Sequence, residues 1–156
     1  LLFSIAAMTN KIIPIGSDHR GFQLKARFIA WLNEHGYTAK DLGTDSESRC
    51  DALDFAQKMA NEFESNAAEM GILICGSGQA MAMTSNRYRK IRAALCTNPE
   101  MARLAREHND ANVLALGADF IMPETALECL AAFLKTPFLG GRYAERRDKL
   151  TDLGGL

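Results

Sequence analysis

Residues 70–75, MGILIC, form an unbroken apolar run that stops abruptly at a glycine pair, GSG, over residues 76–78. Strands with one wet face alternate apolar and polar side chains. A continuous run this short instead suits a strand buried on both faces, which is the situation inside a parallel sheet. Parallel strands need long crossovers, so helices must follow such a strand. This one segment therefore points to an α/β architecture, which an alternation of strands and helices along the chain would complete.

The rest of the chain agrees. Residues 11–16, KIIPIG, read as a first buried strand ending in a glycine turn. Over 22–35, Leu24, Phe28, Ile29, Trp31 and Leu32 make a helical stripe, with Gly36 as terminator. Residues 37–42 suit a second strand. A polar loop over 43–50 follows, then a helix capped near Asp51 and running to about residue 65. After the 70–75 strand, a helix is expected over 79–86. A fourth strand is expected over 91–96. Asn98-Pro99 opens the next helix, with Asn as cap and Pro at its first position. A fifth strand is expected over 112–116, then helices over 123–134 and 142–153. The expectation is a single-domain, doubly wound five-stranded parallel sheet with helices on both faces. In such sheets, ligands bind beyond the carboxyl ends of the strands.

Composition bounds the function. The 156 residues carry 18 Lys+Arg and 19 Asp+Glu, a net charge of −1, so a dedicated nucleic-acid binder is not expected. The apolar opening LLFSIAAM is too short to span a bilayer and lacks a basic leader, so no membrane partner is expected. Met8 is the expected start, leaving 1–7 as an N-terminal extension and 8–156 as the folded domain. The four cysteines, Cys50, Cys75, Cys96 and Cys129, show no CxxC spacing. Neither a zinc site nor a disulfide framework is indicated, and reduced thiols in a cytoplasm are expected.

Four loop segments carry chemistry. Asp18-His19 follows the first strand; Asp18 is either a helix cap or a site carboxylate. Cys75 ends the third strand beside Gly76-Ser77-Gly78-Gln79-Ala80. A thiol there is either core packing or a base activated by a helix start. Cys50, Cys96 and Cys129 stand beside no glycine-rich turn and read as packing. No Lys follows the glycines and GxGxxG is absent, so neither a P-loop nor a dinucleotide fingerprint is present. His108-Asn109 ends a helix, either as a simple stop or as site groups serving a partner's pocket. Arg142 and Arg146 share a helix face and suit either solvent or a phosphate.

Five motifs in order, GSDHRG (16–21), GILICGSG (71–78), IRAALC (91–96), HNDANVLALG (108–117) and GGRYAERR (140–147), resemble the ribose-5-phosphate isomerase B family, which includes the galactose-6-phosphate isomerase subunits. The resemblance implies a homodimer or dimer of dimers with shared sites, acting on a small phosphorylated sugar without metal or organic cofactor. It implies interconversion of ribose 5-phosphate and ribulose 5-phosphate through an enediolate. Cys75 would be the base. Ser77 would assist proton transfer between sugar oxygens. Backbone N–H groups over Gly76, Gly78 and Ala80 would hold the enediolate. Asp18 would bind sugar hydroxyls, His108 would help open the ring and Asn109 would hold sugar oxygens. His19, Arg142 and Arg146 would hold the phosphate.

Three departures bear on substrate. Asp119 stands where the family often has Arg, and Ala52-Leu53 replaces a Tyr-Pro pair. Ala80 replaces a glycine. They leave open an isomerase of a six-carbon sugar phosphate, or a non-catalytic sugar-phosphate-binding subunit.

Overall fold

The computed structural model describes residues 11–156, so the expected extension over 1–7 lies outside the described residues. The chain runs β1 (Ile12–Ser17), a 3-10 turn (His19–Gly21), α1 (Phe22–Glu34), β2 (Thr38–Asp41), α2 (Ala52–Glu64), β3 (Gly71–Cys75), α3 (Gln79–Ser85), β4 (Ala93–Leu95), α4 (Pro99–Asn109), β5 (Val113–Gly117), α5 (Pro123–Lys135) and α6 (Arg142–Asp152). The strands form one parallel sheet in the order β2-β1-β3-β5-β4.

Local chemistry sets the element ends. Asp51 caps α2 by accepting the Leu53 N–H at 3.0 Å. Asn98 caps α4 by accepting the Met101 N–H at 2.9 Å, with Pro99 at the first helical position. These groups satisfy N–H donors that have no partner inside their helices.

The β3 run is buried at every position. Its side chains still alternate. Ile72 and Ile74 enter the core beneath α1, α4 and α5, where Phe28, Leu130 and Phe133 meet them. Leu73 and Cys75 enter the core beneath α2 and α3, with Phe55, Met59 and Met81. Both faces are covered, which is why the segment shows no polar alternation. Burying one large aliphatic or aromatic side chain contributes about 1.5–3 kcal/mol, and these two cores supply the main stabilisation.

Strand β4 is shorter than the expected span, residues 91–96. Side-chain amides replace its ladder at the ends. Arg92 N–H donates to Asn112 Oδ1 at 2.7 Å, and Asn112 Nδ2 donates to Lys90 O at 2.7 Å. On the outer edge, Asn86 exchanges two hydrogen bonds with the Ala93 backbone, at 2.7 and 3.0 Å. An edge closed this way offers less backbone to a passing strand.

The chain winds from β1 outward to β2, then returns to place β3 on the other side of β1. The switch in direction therefore lies between β1 and β3. Register pairs Ser17 with Ile74, so the carboxyl ends of these strands are side by side. Among the described residues, no helix is long and apolar enough to cross a membrane.

Candidate active site

At the switch, Asp18 N–H donates to Ile74 O at 3.2 Å, stitching the β1 loop to the last turn of β3. Asp18 is buried, and its Oδ1 accepts from the N–H groups of Arg20 at 2.9 Å and Gly21 at 3.2 Å. It thus caps the 3-10 turn and also stands at the strand end. The cap and site readings are compatible, because Oδ2 is left over.

Cys75 is buried at the tip of β3, and its Sγ accepts the Gly78 N–H at 3.1 Å. That N–H holds the sulfur in place at the strand end, beside the glycine turn. Ser77 is exposed, and its Oγ accepts from Gln79 N–H at 3.4 Å. The loop between them needs its glycines. Gly78 sits at φ +77°, and a Cβ there would lie 2.9 Å from the Leu116 carbonyl carbon. A Cβ on Gly117 would lie 2.6 Å from the Ser77 carbonyl. The loop is therefore pressed against β5 backbone to backbone. Ala118 N–H to Cys75 O (2.8 Å) and Asp119 N–H to Gly76 O (3.0 Å) lock it there. Ala80, the departure from glycine, packs toward the core beneath α2 and α3.

His19 has a partner that spacing did not suggest. Cys50 N–H donates to its Nδ1 at 3.3 Å, with the Cys50 thiol 4.0 Å away. An acceptor Nδ1 places the proton of the neutral ring on Nε2, which becomes the donor. Cys50 was expected to be packing alone; here its backbone sets a site tautomer. The loop that carries it is pinned from below. Lys25, 2% exposed, bonds Thr44 O at 2.7 Å and Asp41 at 2.5 Å. Gly43 and Thr44 in turn bond the Ser17 backbone, each at 2.8 Å.

Arg20 and Asp119 are also drawn in: Arg20 Nε donates to Asp119 Oδ2 at 2.5 Å. The carboxylate raises the pKa of the Arg20 guanidinium, first through that hydrogen bond and then through its charge. Asp119, which stands where the family often has Arg, has its charge matched by Arg20.

The remaining candidates gather elsewhere. The His108 ring stacks on Tyr143 at 4.4 Å between centroids. Arg142 and Arg146 lie over the same tyrosine, and Arg146 reaches Asn109 at 3.5 Å. Asp110 holds α6 to the end of α4 by bonding Arg106 at 2.9 Å and Arg147 at 3.0 Å. No spacing argument had marked Asp110 or Tyr143. Asn112 O accepts from Gly71 N–H at 2.9 Å, so this cluster lies near the amino end of β3. Cys75 is at the other end, roughly 13 Å away along the strand. One chain thus brings together Asp18, His19, Cys75, Ser77, Gly76, Gly78 and Ala80. It brings together His108, Asn109, Arg142 and Arg146 separately. Among the described residues, no group of three or more His, Cys, Asp or Glu is placed to hold a metal ion.

Comparison with known proteins bears on this arrangement. Residues 13–150 match the family model described as Ribose/Galactose Isomerase. Ribose-5-phosphate isomerase B of Escherichia coli is 38% identical over 141 residues, covering 90% of this chain and 95% of that protein. The crystal structure of a ribose 5-phosphate isomerase from Thermotoga maritima is 46% identical, with a TM-score of 0.88 over 91% of this chain and 98% of that one. A Mycoplasma genitalium ribose-5-phosphate isomerase B, solved with bound ribulose-5-phosphate, is 35% identical. Its TM-score is 0.87, over 91% of this chain and 95% of that one. The match spans both strand-end loops and the His108 and Arg142 clusters. On this evidence the chain belongs to the ribose/galactose isomerase family.

Proposed function

We propose that this protein is an aldose–ketose isomerase that interconverts ribose 5-phosphate and ribulose 5-phosphate, with Cys75 as the base. The observation that carries the reading is the Cys75 thiol, held at a strand end with a backbone N–H on its sulfur. The E. coli and M. genitalium relatives support the substrate.

The reaction needs an open-chain sugar, because only that form has a carbonyl. His108 assists ring opening, and Asn109 and Asp18 hold hydroxyls. The Cys75 thiolate removes the proton from C2, and the electron pair moves into the C1–C2 bond. The C1 carbonyl oxygen becomes an oxyanion, held by N–H groups of the Gly76–Ala80 segment. Ser77 helps move the hydroxyl proton from O2 to O1. The Cys75 thiol returns its proton to C1, which completes the ketose and regenerates the thiolate. His19, Arg142 and Arg146 hold the phosphate, and that remote binding positions the reacting carbons.

In this reading the pocket is completed by a second copy of the chain, in a homodimer or dimer of dimers. The separation of Cys75 from His108 within one chain supports it. Exposed Phe120 and Met122, just beyond β5, offer apolar surface for such a contact. Four free thiols fit a reducing compartment, and the cytoplasm is the proposed location.

Mixing inactive variants tests both the chemistry and the sharing. Cys75→Ala and His108→Ala should each lose ketose formation from ribose 5-phosphate. Co-refolded in equal amounts, half the dimers are mixed, and each has one intact shared site. Activity should then return to about a quarter of wild type. A fully active Cys75→Ala protein would refute the base. Failure of the mixture to recover would refute the shared pocket. A panel including six-carbon sugar phosphates fixes the substrate, and a preference for these would overturn the pentose assignment.

A further inference from the structure

Arg20 and Asp119 meet above the loop that follows Cys75. A Cβ on Gly76 would lie 2.9 Å from Asp119 Oδ2 and 3.0 Å from Arg20 Cδ and Nε, so the pair rests directly on that backbone. Both side chains face the cleft of about 550 Å³ that His19, Gln23 and Arg27 also line. Of the cleft's other charged groups, Arg27 faces Glu124 at 3.5 Å, and Glu47 is bonded by Gln23 at 2.5 Å. Asp119 engages only the Nε of Arg20. Among the described residues, the terminal nitrogens of Arg20 have no hydrogen-bond partner, and the side chain is 57% exposed.

A guanidinium fixed through Nε presents its two terminal nitrogens as a planar fork. That fork matches two oxygens of a phosphate. Position agrees with chemistry. Cys75 is buried, and Arg20, packed on Gly76 next to it, is exposed. A sugar with C1 and C2 at Cys75 carries its C5 substituent outward. His19, adjacent in the chain, presents its Nε2 donor beside it.

We propose that Arg20 binds the phosphate monoester of the substrate through its terminal nitrogens, and that Asp119 is the positioning residue that orients it. This rests on the sugar-phosphate reading above. Asp119 thereby acts as a clamp for a cation supplied by the β1 loop, rather than as a negative charge facing the ligand.

Calorimetric titration of the full-length protein with inorganic phosphate tests the proposal without requiring turnover. Arg20→Gln should weaken phosphate binding by about tenfold or more, with the thermal midpoint unchanged at this exposed position. Asp119→Asn keeps an oxygen acceptor for Nε and should retain affinity within about threefold, whereas Asp119→Ala should lose about tenfold. A charge-opposing role for Asp119 predicts the reverse, tighter phosphate binding in both Asp119 variants, and that result would overturn the clamp. Wild-type protein that binds no phosphate, or Arg20→Gln that binds it equally well, would overturn the Arg20 assignment. Phosphate binding that depends on Arg20 in a protein that does not isomerise ribose 5-phosphate would sink the proposed activity and leave this inference standing.

Discussion

Gly117→Ala puts the loop geometry to the sharpest test. Gly117 ends β5 opposite Cys75, and its φ lies outside the left-handed region, so alanine meets no backbone objection there. The cost is purely steric. The new Cβ would lie 2.6 Å from the Ser77 carbonyl, and ordinary contact begins near 3.4 Å, so 3.4 − 2.6 = 0.8 Å must be found. The obstructing atoms are backbone, which cannot swing aside as a side chain would. The bonds from Ala118 to Cys75 O and Asp119 to Gly76 O resist a slide of the whole loop. Overpacking of this kind costs about 1–3 kcal/mol. For a chain of this length, that corresponds to a melting point lower by about 4–8 °C at the middle of the range. A displacement near 1 Å at a reacting centre is worth on the order of 100-fold in rate. Turnover of ribose 5-phosphate should therefore fall about 100-fold in kcat while the protein stays folded at 25 °C. Gly16→Ala is the control. Its Cβ would meet only side chains at 3.3 and 3.5 Å, with the nearest backbone atom at 3.7 Å, so near-wild-type behaviour is expected. A Gly117→Ala protein with kcat within about threefold of wild type and an unchanged melting point would show that the loop is not wedged against β5 as described.

Three further outcomes follow from buried polar and ionisable groups. Lys25→Met keeps the buried stem but removes the ammonium that ties Thr44 O and Asp41. Asp41 is half exposed and can rehydrate, so a loss of about 2 kcal/mol in urea unfolding is expected, below the full cost of orphaning a buried charge; an unchanged midpoint would contradict it. Burial pushes the Cys96 thiol up to about 12 and Cys129 up to about 11. At pH 8 iodoacetamide should label Cys50 in the folded protein and reach Cys96 and Cys129 only after denaturation, as read by peptide mass spectrometry. The same shifts set a stability trend. Below pH 9 both thiols are protonated in folded and unfolded chains alike. Between pH 9 and the raised values only the unfolded chain ionises, so stability should fall as pH rises through that window. Labelling of Cys96 in the folded protein at the rate of Cys50 would count against the burial described.

Much of the architecture is legible along the chain because its signals are local. Asp51 and Asn98 cap helices where their residue types suggest, and the β3 run reads correctly as doubly buried. The edge strand β4 is overestimated, since its residues cannot show that Asn86 and Asn112 side chains will occupy the backbone on either flank. The placement of β5 between β3 and β4 has no local signature either, because strand order is decided by long-range pairing.

The candidate site divides in the same way. The placement of Asp18, His19 and Cys75 at strand ends is legible before any fold is known, while the cap reading of Asp18 and the packing reading of Cys75 stay open along the chain. Their adjacency comes from β1 pairing with β3, which no spacing encodes. Nor does any spacing encode Cys50 N–H on His19, Asp110 gathering arginines from two helices, or Asp119 reaching back 99 positions to Arg20. The elements, the doubly buried strand and the chemical types available can be read from residue order alone, because hydrophobic periodicity, caps and glycine turns act over a few residues. Which charges are matched, and which way an imidazole carries its proton, emerge only in the folded chain. The placement of Cys75 and His108 at opposite ends of a strand emerges there too. Those outcomes depend on contacts between segments far apart in the chain.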